Sequence, residues 1–154
     1  MDLSDLVDAS AVMPALKANS KKQLLQLLAE KAASQTGLPE RLVFDTILQR
    51  ERLGSTGVGN GIAIPHGKLN GVSKIFGVFA RLETPVDFDS LDDQPVDLVF
   101  LLLAPEGAGA DHLKALSRIA RQLRDPETVA KIRATRDANA IYALLSEQAK
   151  PHAA

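Results

Sequence analysis

Apolar residues recur at helical spacing early in the chain. Leu24, Leu27, Leu28 and Ala32 fall on one side of a helix. Ser20 and Gln23, just ahead of them, form a capping-box pair, in which each side chain can satisfy a free backbone N–H. Gly37 then ends the helix. Pro39 suits the first turn of a second helix, with Leu42, Val43, Phe44 and Ile47 as its inward positions.

The pattern then changes to strands. "IFGVFAR" (75–81) is rich in β-branched and aromatic residues, and "PVDF" reads as a short strand or hairpin arm. "VDLVFLLLA" (96–104) is apolar on both faces, as a central strand covered on both sides must be. "GIAIP" (61–65) reads as another short strand. "AVMPAL" (11–16) contains proline and so reads as an edge strand.

Helices return after "APEGAGAD". Asp111 is placed to cap one with Leu113, Leu116, Ala120 and Leu123 along its side. Asp125-Pro126 starts a second, and Asp137 a third carrying Ile141, Leu144 and Leu145. Helices, then strands, then helices predict an α/β fold: a single mixed β-sheet with helices packed on both faces. The expected organisation is one domain over 1–148 and a flexible C-terminal tail, 149–154, that carries His152.

Composition narrows the classes. The chain has 154 residues, 45% hydrophobic and 24% charged, which is enough for one core. A net charge of -1 gives no electrostatic footprint for nucleic acid or an anionic membrane. Cysteine is absent, which removes disulfides, thiol chemistry and thiolate metal sites and fits a reducing compartment. The acidic start "MDLSDLVDAS" does not read as a signal peptide, and the run Leu98–Ala104 is too short to cross a bilayer. The expected location is the cytoplasm.

Six of the ten glycines lie in "GSTGVGNGIAIPHGKLNG", residues 54–71, around His66. A dinucleotide fingerprint must open a helix, whereas the strand-like "IAIP" follows here. A P-loop needs Gly-Lys-Ser/Thr, and a hydrolase nucleophile elbow needs Gly-x-Ser-x-Gly; both spacings fail. His66, His112 and His152 lack metal-ligand spacing, so no metal and no other cofactor is expected.

Two readings of His66 stay open on the residues alone. It is a turn residue after a strand, or a rigid and accessible imidazole between Pro65 and Gly67. Neutral imidazole is a nucleophile able to carry a phosphoryl group, and glycine-rich backbone N–H groups can cradle one. His112 is placed at a helix start, where anions are favoured, or is a plain surface residue there. Arg50 is a phosphate contact or compensates the helix dipole, and Arg52 competes for either role. Ser55, Thr56, Gly59, Asn60 and Gly67 complete the candidate loop; as turn residues they need no function.

The segments "RERLGSTGVGNGIAIPHGKL" and "VDLVFLLLAPEGAGADHLKALS" resemble the enzyme IIA component of the bacterial phosphotransferase system, fructose/mannitol type, in particular its nitrogen-regulatory branch. The resemblance runs from about Leu3 to Leu145, with no departure at the motif positions. It implies a mixed sheet sandwiched by helices. It implies that His66 of "IPHG" is phosphorylated on Nε2, that His112 of "HLK" lies beside it, and that Arg50 matches the arginine of the family's "RE" pair. The implied donor is a histidine-containing phosphocarrier protein, charged from phosphoenolpyruvate through enzyme I. The implied targets belong to nitrogen and potassium control, such as potassium transport or sensor-kinase proteins.

The expected function is thus a phosphorylation-state relay and regulator, with no nucleic acid and no membrane insertion. One alternative is a transport component that passes phosphate to a separate enzyme IIB of a fructose- or mannitol-type permease. The other is a binding module in which His66 is never phosphorylated.

Overall fold

A computed structural model describes residues 2–147. The expected tail at 149–154, with His152, lies outside the described residues.

Among the described residues five α-helices surround one six-stranded sheet. Helix α1 (Lys21–Thr36) starts where its cap chemistry demands. The Ser20 hydroxyl accepts from the Gln23 N–H at 3.1 Å, while the Gln23 side chain reaches back one residue further, to the Asn19 N–H. Gly37 closes α1, its N–H on the Ala33 carbonyl at 2.8 Å. Leu24, Leu25, Leu28, Ala29 and Ala32 are its buried stripe. Leu27, expected inward, is only half-buried, because the stripe is centred on Leu24 and Leu28.

Helix α2 (Glu40–Arg52) follows Pro39 and buries Val43, Ile47 and Glu51. Leu42 was expected inward but is 43% exposed; the 43–47–51 spacing turns it to the outside.

The strands are β1 (Val12–Leu16), β2 (Gly57–Gly59), β3 (Ile62–Ala63), β4 (His66–Leu69), β5 (Phe76–Val86) and β6 (Val96–Pro105). Their order is β1-β5-β6-β3-β2, with β4 pairing β6 further along the same edge as β3. Strands β5 and β6 run antiparallel; β1 runs parallel to β5, and β3 and β4 run parallel to β6. Proline-containing β1 is the edge strand expected. The central β6 is buried from Leu98 to Ala104, so both its faces are covered. Phe79 and Phe100 pair across β5 and β6, their rings edge to face at 6.2 Å. The expected "PVDF" arm is divided: Val86 ends β5, and Phe88 is buried in the loop beyond.

Helices α1 and α2 pack on each other and reach β5 and β4. Helix α3 (Ala110–Gln122) packs on β6, and α5 (Ala138–Ser146) on β1. Helix α4 (Pro126–Arg133) is capped by Asp125 and α5 by Asp137, whose side chains accept from Glu127 N and Asn139 N. Helix α3 departs from expectation. It is capped at Gly109 rather than Asp111, without a side-chain hydrogen bond. Its buried face is His112, Ala115, Ile119 and Gln122, which leaves Leu113 66% exposed. His112 takes the inward place that the pattern assigned to its apolar neighbour.

Candidate active site

Strand β6 provides the frame on which His66 is placed. Strands β3 and β4 lie end to end along it, separated by Ile64 and Pro65. The Pro65 carbonyl accepts from the Leu102 N–H at 2.9 Å, so the ladder continues across the gap. His66 opens β4 opposite Leu102. The "GIAIP" strand is thus shorter than expected, and the sequence pattern did not show β4. Gly67 follows because α2 presses against it: a Cβ there would lie 2.8 Å from the Thr46 methyl carbon Cγ2.

The His66 ring is half-buried, and its Nδ1 lies 2.8 Å from the Ile64 carbonyl oxygen. A carbonyl can only accept, so Nδ1 carries the proton and Nε2 keeps the lone pair. His112, in the first turn of α3, places its ring centroid 5.5 Å from that of His66, at 61°. His112 is buried, 7% exposed, and its Nε2 has no hydrogen-bond partner among the described residues.

Both imidazoles are held below the ordinary histidine pKa. For His66, burial is the main cause and the Arg50 charge adds to it; the Ile64 hydrogen bond and the Glu51 charge oppose it. For His112 the causes are burial, then His66, then Lys68. The pair is therefore neutral at pH 7, two imidazole rings edge to face, with His66 Nε2 free as an acceptor and His112 Nε2 buried without a partner among the described residues.

The remaining candidates divide. Arg50 Nη1 donates to the Gly54 carbonyl at 2.9 Å, tying the end of α2 to the glycine loop, while its charge reaches His66. Arg52 is exposed and lines a ~400 Å³ surface hollow with Lys21, Lys22, Glu51 and Asp89, and neither histidine lines it. Ser55 Oγ donates to the Phe88 carbonyl at 3.0 Å and accepts from the Gly57 N–H. Thr56 is buried on Glu51. Gly59 and Asn60 lie at the turn between β2 and β3. There the Asn60 N–H meets Asp92 and the Asn60 carbonyl accepts from Arg133, itself paired with Asp97 at 2.9 Å. The N–H groups of Asn60 and Gln94 hold the Asp92 carboxyl below its usual range. Ser55, Thr56 and Asn60 thus spend polar groups on shaping the loop, whereas His66 and His112 lie ring to ring with the Arg50 charge acting on His66.

Sequence reasoning passed over Glu51. The residue is 7% exposed, and its carboxylate is paired with Lys21 Nζ at 3.0 Å. A signal was present: 43, 47 and 51 share one helix face, so the apolar stripe of α2 runs into an acid.

Comparison with known proteins gives this arrangement a context. Residues 5–148 match the family described as phosphoenolpyruvate-dependent sugar phosphotransferase system, EIIA 2. The chain is similar to a nitrogen regulatory protein of Bradyrhizobium diazoefficiens, 66% identical over 146 residues and covering 95% of each chain. The chain belongs to the EIIA 2 family. A nitrogen regulatory protein of Escherichia coli is 42% identical over 148 residues, covering 96% of this chain and 91% of that one. The crystal structure of nitrogen regulatory protein IIA-Ntr from Neisseria meningitidis superposes with a TM-score of 0.88 at 34% identity, covering 93% of this chain and 98% of that one. This EIIA 2 chain therefore stands with the nitrogen regulatory proteins, and its mixed sheet wrapped by helices is the fold of that group. Among the described residues no helix is long and apolar enough to cross a membrane.

Proposed function

We propose that the chain accepts a phosphoryl group on Nε2 of His66 from a histidine phosphocarrier protein. The hydrogen bond from Nδ1 to the Ile64 carbonyl carries this reading, because it leaves Nε2 as the free nucleophile. In the step, Nε2 bonds to the phosphorus of the donor's phosphohistidine. The donor's P–N bond breaks, its electron pair returns to the donor ring, and that ring takes up a proton from solvent. The His66 ring, with Nδ1–H kept on the Ile64 carbonyl, carries the positive charge. Such transfers need position and charge stabilisation more than covalent help.

His112 and Arg50 supply that stabilisation. Neutral His112 is ready to gain a proton when a phosphoryl dianion arrives beside it, since a nearby negative charge favours imidazolium. Arg50 keeps N–H donors beyond the one it spends on Gly54. The loop glycines leave room for the donor, and the domain spans 1–148.

The added charge of about −1.5 to −2 is the regulatory signal. Its readers are regulatory proteins in the cytoplasm, of the potassium-transport or sensor-kinase kind. The identity to nitrogen regulatory proteins supports regulation over sugar transport.

The test is intact mass after incubation with phosphoenolpyruvate, enzyme I and the phosphocarrier. One acid-labile phosphoryl group, absent from His66→Ala, is expected. No label with active donors would move the reading to a binding module. Onward transfer to a purified enzyme IIB would move it to transport.

A further inference from the structure

Behind His66 lies a chain of polar contacts that the transfer chemistry does not itself require. The buried Glu51 carboxylate accepts from the Thr56 N–H at 3.2 and 3.3 Å through its two oxygens, and from the Thr56 hydroxyl. The Thr56 carbonyl accepts from the Ile64 N–H at 3.0 Å. The Ile64 carbonyl accepts from His66 Nδ1 at 2.8 Å. Two residues, Thr56 and Ile64, thus connect a fixed anion to the nitrogen that decides which tautomer His66 adopts.

The anchor is itself fixed from the other side. Lys21 Nζ, at the first turn of α1, lies 3.0 Å from Glu51 Oε2 and 4.5 Å from the centre of the Phe88 ring. Phe88 is buried, and its carbonyl holds Ser55, the neighbour of Thr56. Charged groups act on both ends of this connection. Lys21 faces Glu51, with Asp89 at 3.9 Å from the same Nζ. Arg50 and Glu51 from α2, His112 from α3 and Lys68 from β4 surround the two imidazoles.

We infer that Glu51 is a positioning residue for His66: through Thr56 and Ile64 it holds the acceptor imidazole in the tautomer that presents Nε2. A carboxylate suits the task because it accepts from both Thr56 donors and Lys21 at once. Buried beside a lysine, it has strong reason to keep those partners. Loss of its charge also removes one of the influences that raise the basicity of His66. The inference rests on His66 being the phosphoryl acceptor, but its primary readout does not.

The experiment uses the full chain with 15N-labelled histidine, in Glu51→Gln, Thr56→Val and Thr56→Ser. Imidazole 15N shifts report the tautomer of neutral His66, and a pH titration reports its midpoint; neither needs a donor protein. Glu51→Gln is expected to populate the Nε2–H tautomer, to lower the midpoint by about half a pH unit and to slow phosphoryl transfer about tenfold. Thr56→Val should move the same quantities by less, and Thr56→Ser should restore them. If Glu51→Gln does not fold, the Thr56 pair carries the test. Folded variants with a lower melting temperature but an unchanged His66 tautomer, midpoint and transfer rate would overturn the inference and leave Glu51 as a loop clip. Failure of the parent protein to label with competent donors would instead overturn the functional reading and leave the tautomer result standing.

Discussion

His66 Nδ1 lies 2.8 Å from the carbonyl oxygen of Ile64, a residue only two positions earlier. Pro65 between them fixes φ and holds the short bridge. Phosphorylation is therefore expected on Nε2. In the labelled protein, the 31P–15N coupling should appear at Nε2 while Nδ1–H persists. Coupling to Nδ1 would show that the ring turns over before reaction.

His112 is expected to matter to the phosphorylated state more than to the resting one. Its buried Nε2 has no partner among the described residues, and a phosphoryl group on His66 would provide one. His112→Asn should slow transfer about a hundred- to a thousandfold, in line with loss of one preorganised donor. It should also shorten the lifetime of phospho-His66. Rapid-quench labelling and a hydrolysis time course measure both. Parent-like values in a folded variant would leave His112 a helix-start residue only.

The depressed pKa values of both histidines fix the sign of the pH dependence. The neutral ring is the nucleophile, so the acceptor rate should hold down to below pH 6.5 and fall only as pH passes the lowered midpoint of His66. Stability runs the same way. Unfolded histidines take up protons near pH 6.5, before the folded ones do, so acid favours the unfolded chain. The stability linked to these groups is complete above that pH and lost as pH falls through their folded midpoints. Urea titrations at pH 7.5 and 5.5 should show a smaller loss for His66→Ala/His112→Ala than for the parent. Equal losses would mean that carboxylates alone carry the acid sensitivity.

The sequence made visible what local chemistry decides. Ser20, Asp125 and Asp137 start helices through their own side chains, so those starts could be read. Helix α3 is capped by Gly109, which leaves no side-chain signature, and its face was read one residue out of place, at Leu113 instead of His112. Strands β2 and β4 have three and four residues, mostly glycine or polar, and owe their conformation to neighbouring strands. His66 stood out between Pro65 and Gly67. Glu51 did not, because a carboxylate at a helix end usually belongs to solvent; its burial depends on Thr56 and Lys21 arriving from elsewhere in the chain.

Close packing over the sheet centre gives a prediction that starts away from the histidines. Gly77 on β5 lies against the buried Phe100 ring: an added Cβ would come within 2.5 Å of one ring carbon and 2.8 Å of the next. The backbone offers no retreat, because the Gly77 N–H donates to the Leu6 carbonyl at 2.6 Å and that oxygen lies 3.2 Å from the same Cβ position. Gly77→Ala should therefore cost about 1–3 kcal/mol, the usual range for overpacking. Phe100→Leu alone leaves space and also destabilises, but it removes the ring that the new methyl meets. The two changes share one volume, so their costs should fall short of additivity in a double-mutant cycle read by urea denaturation. Strict additivity would mean that the strain of Gly77→Ala is relieved at the Leu6 turn rather than at the ring. Because β6 also carries the register of β4, the overpacked variant should broaden the His66 resonances, and Phe100→Leu should sharpen them again.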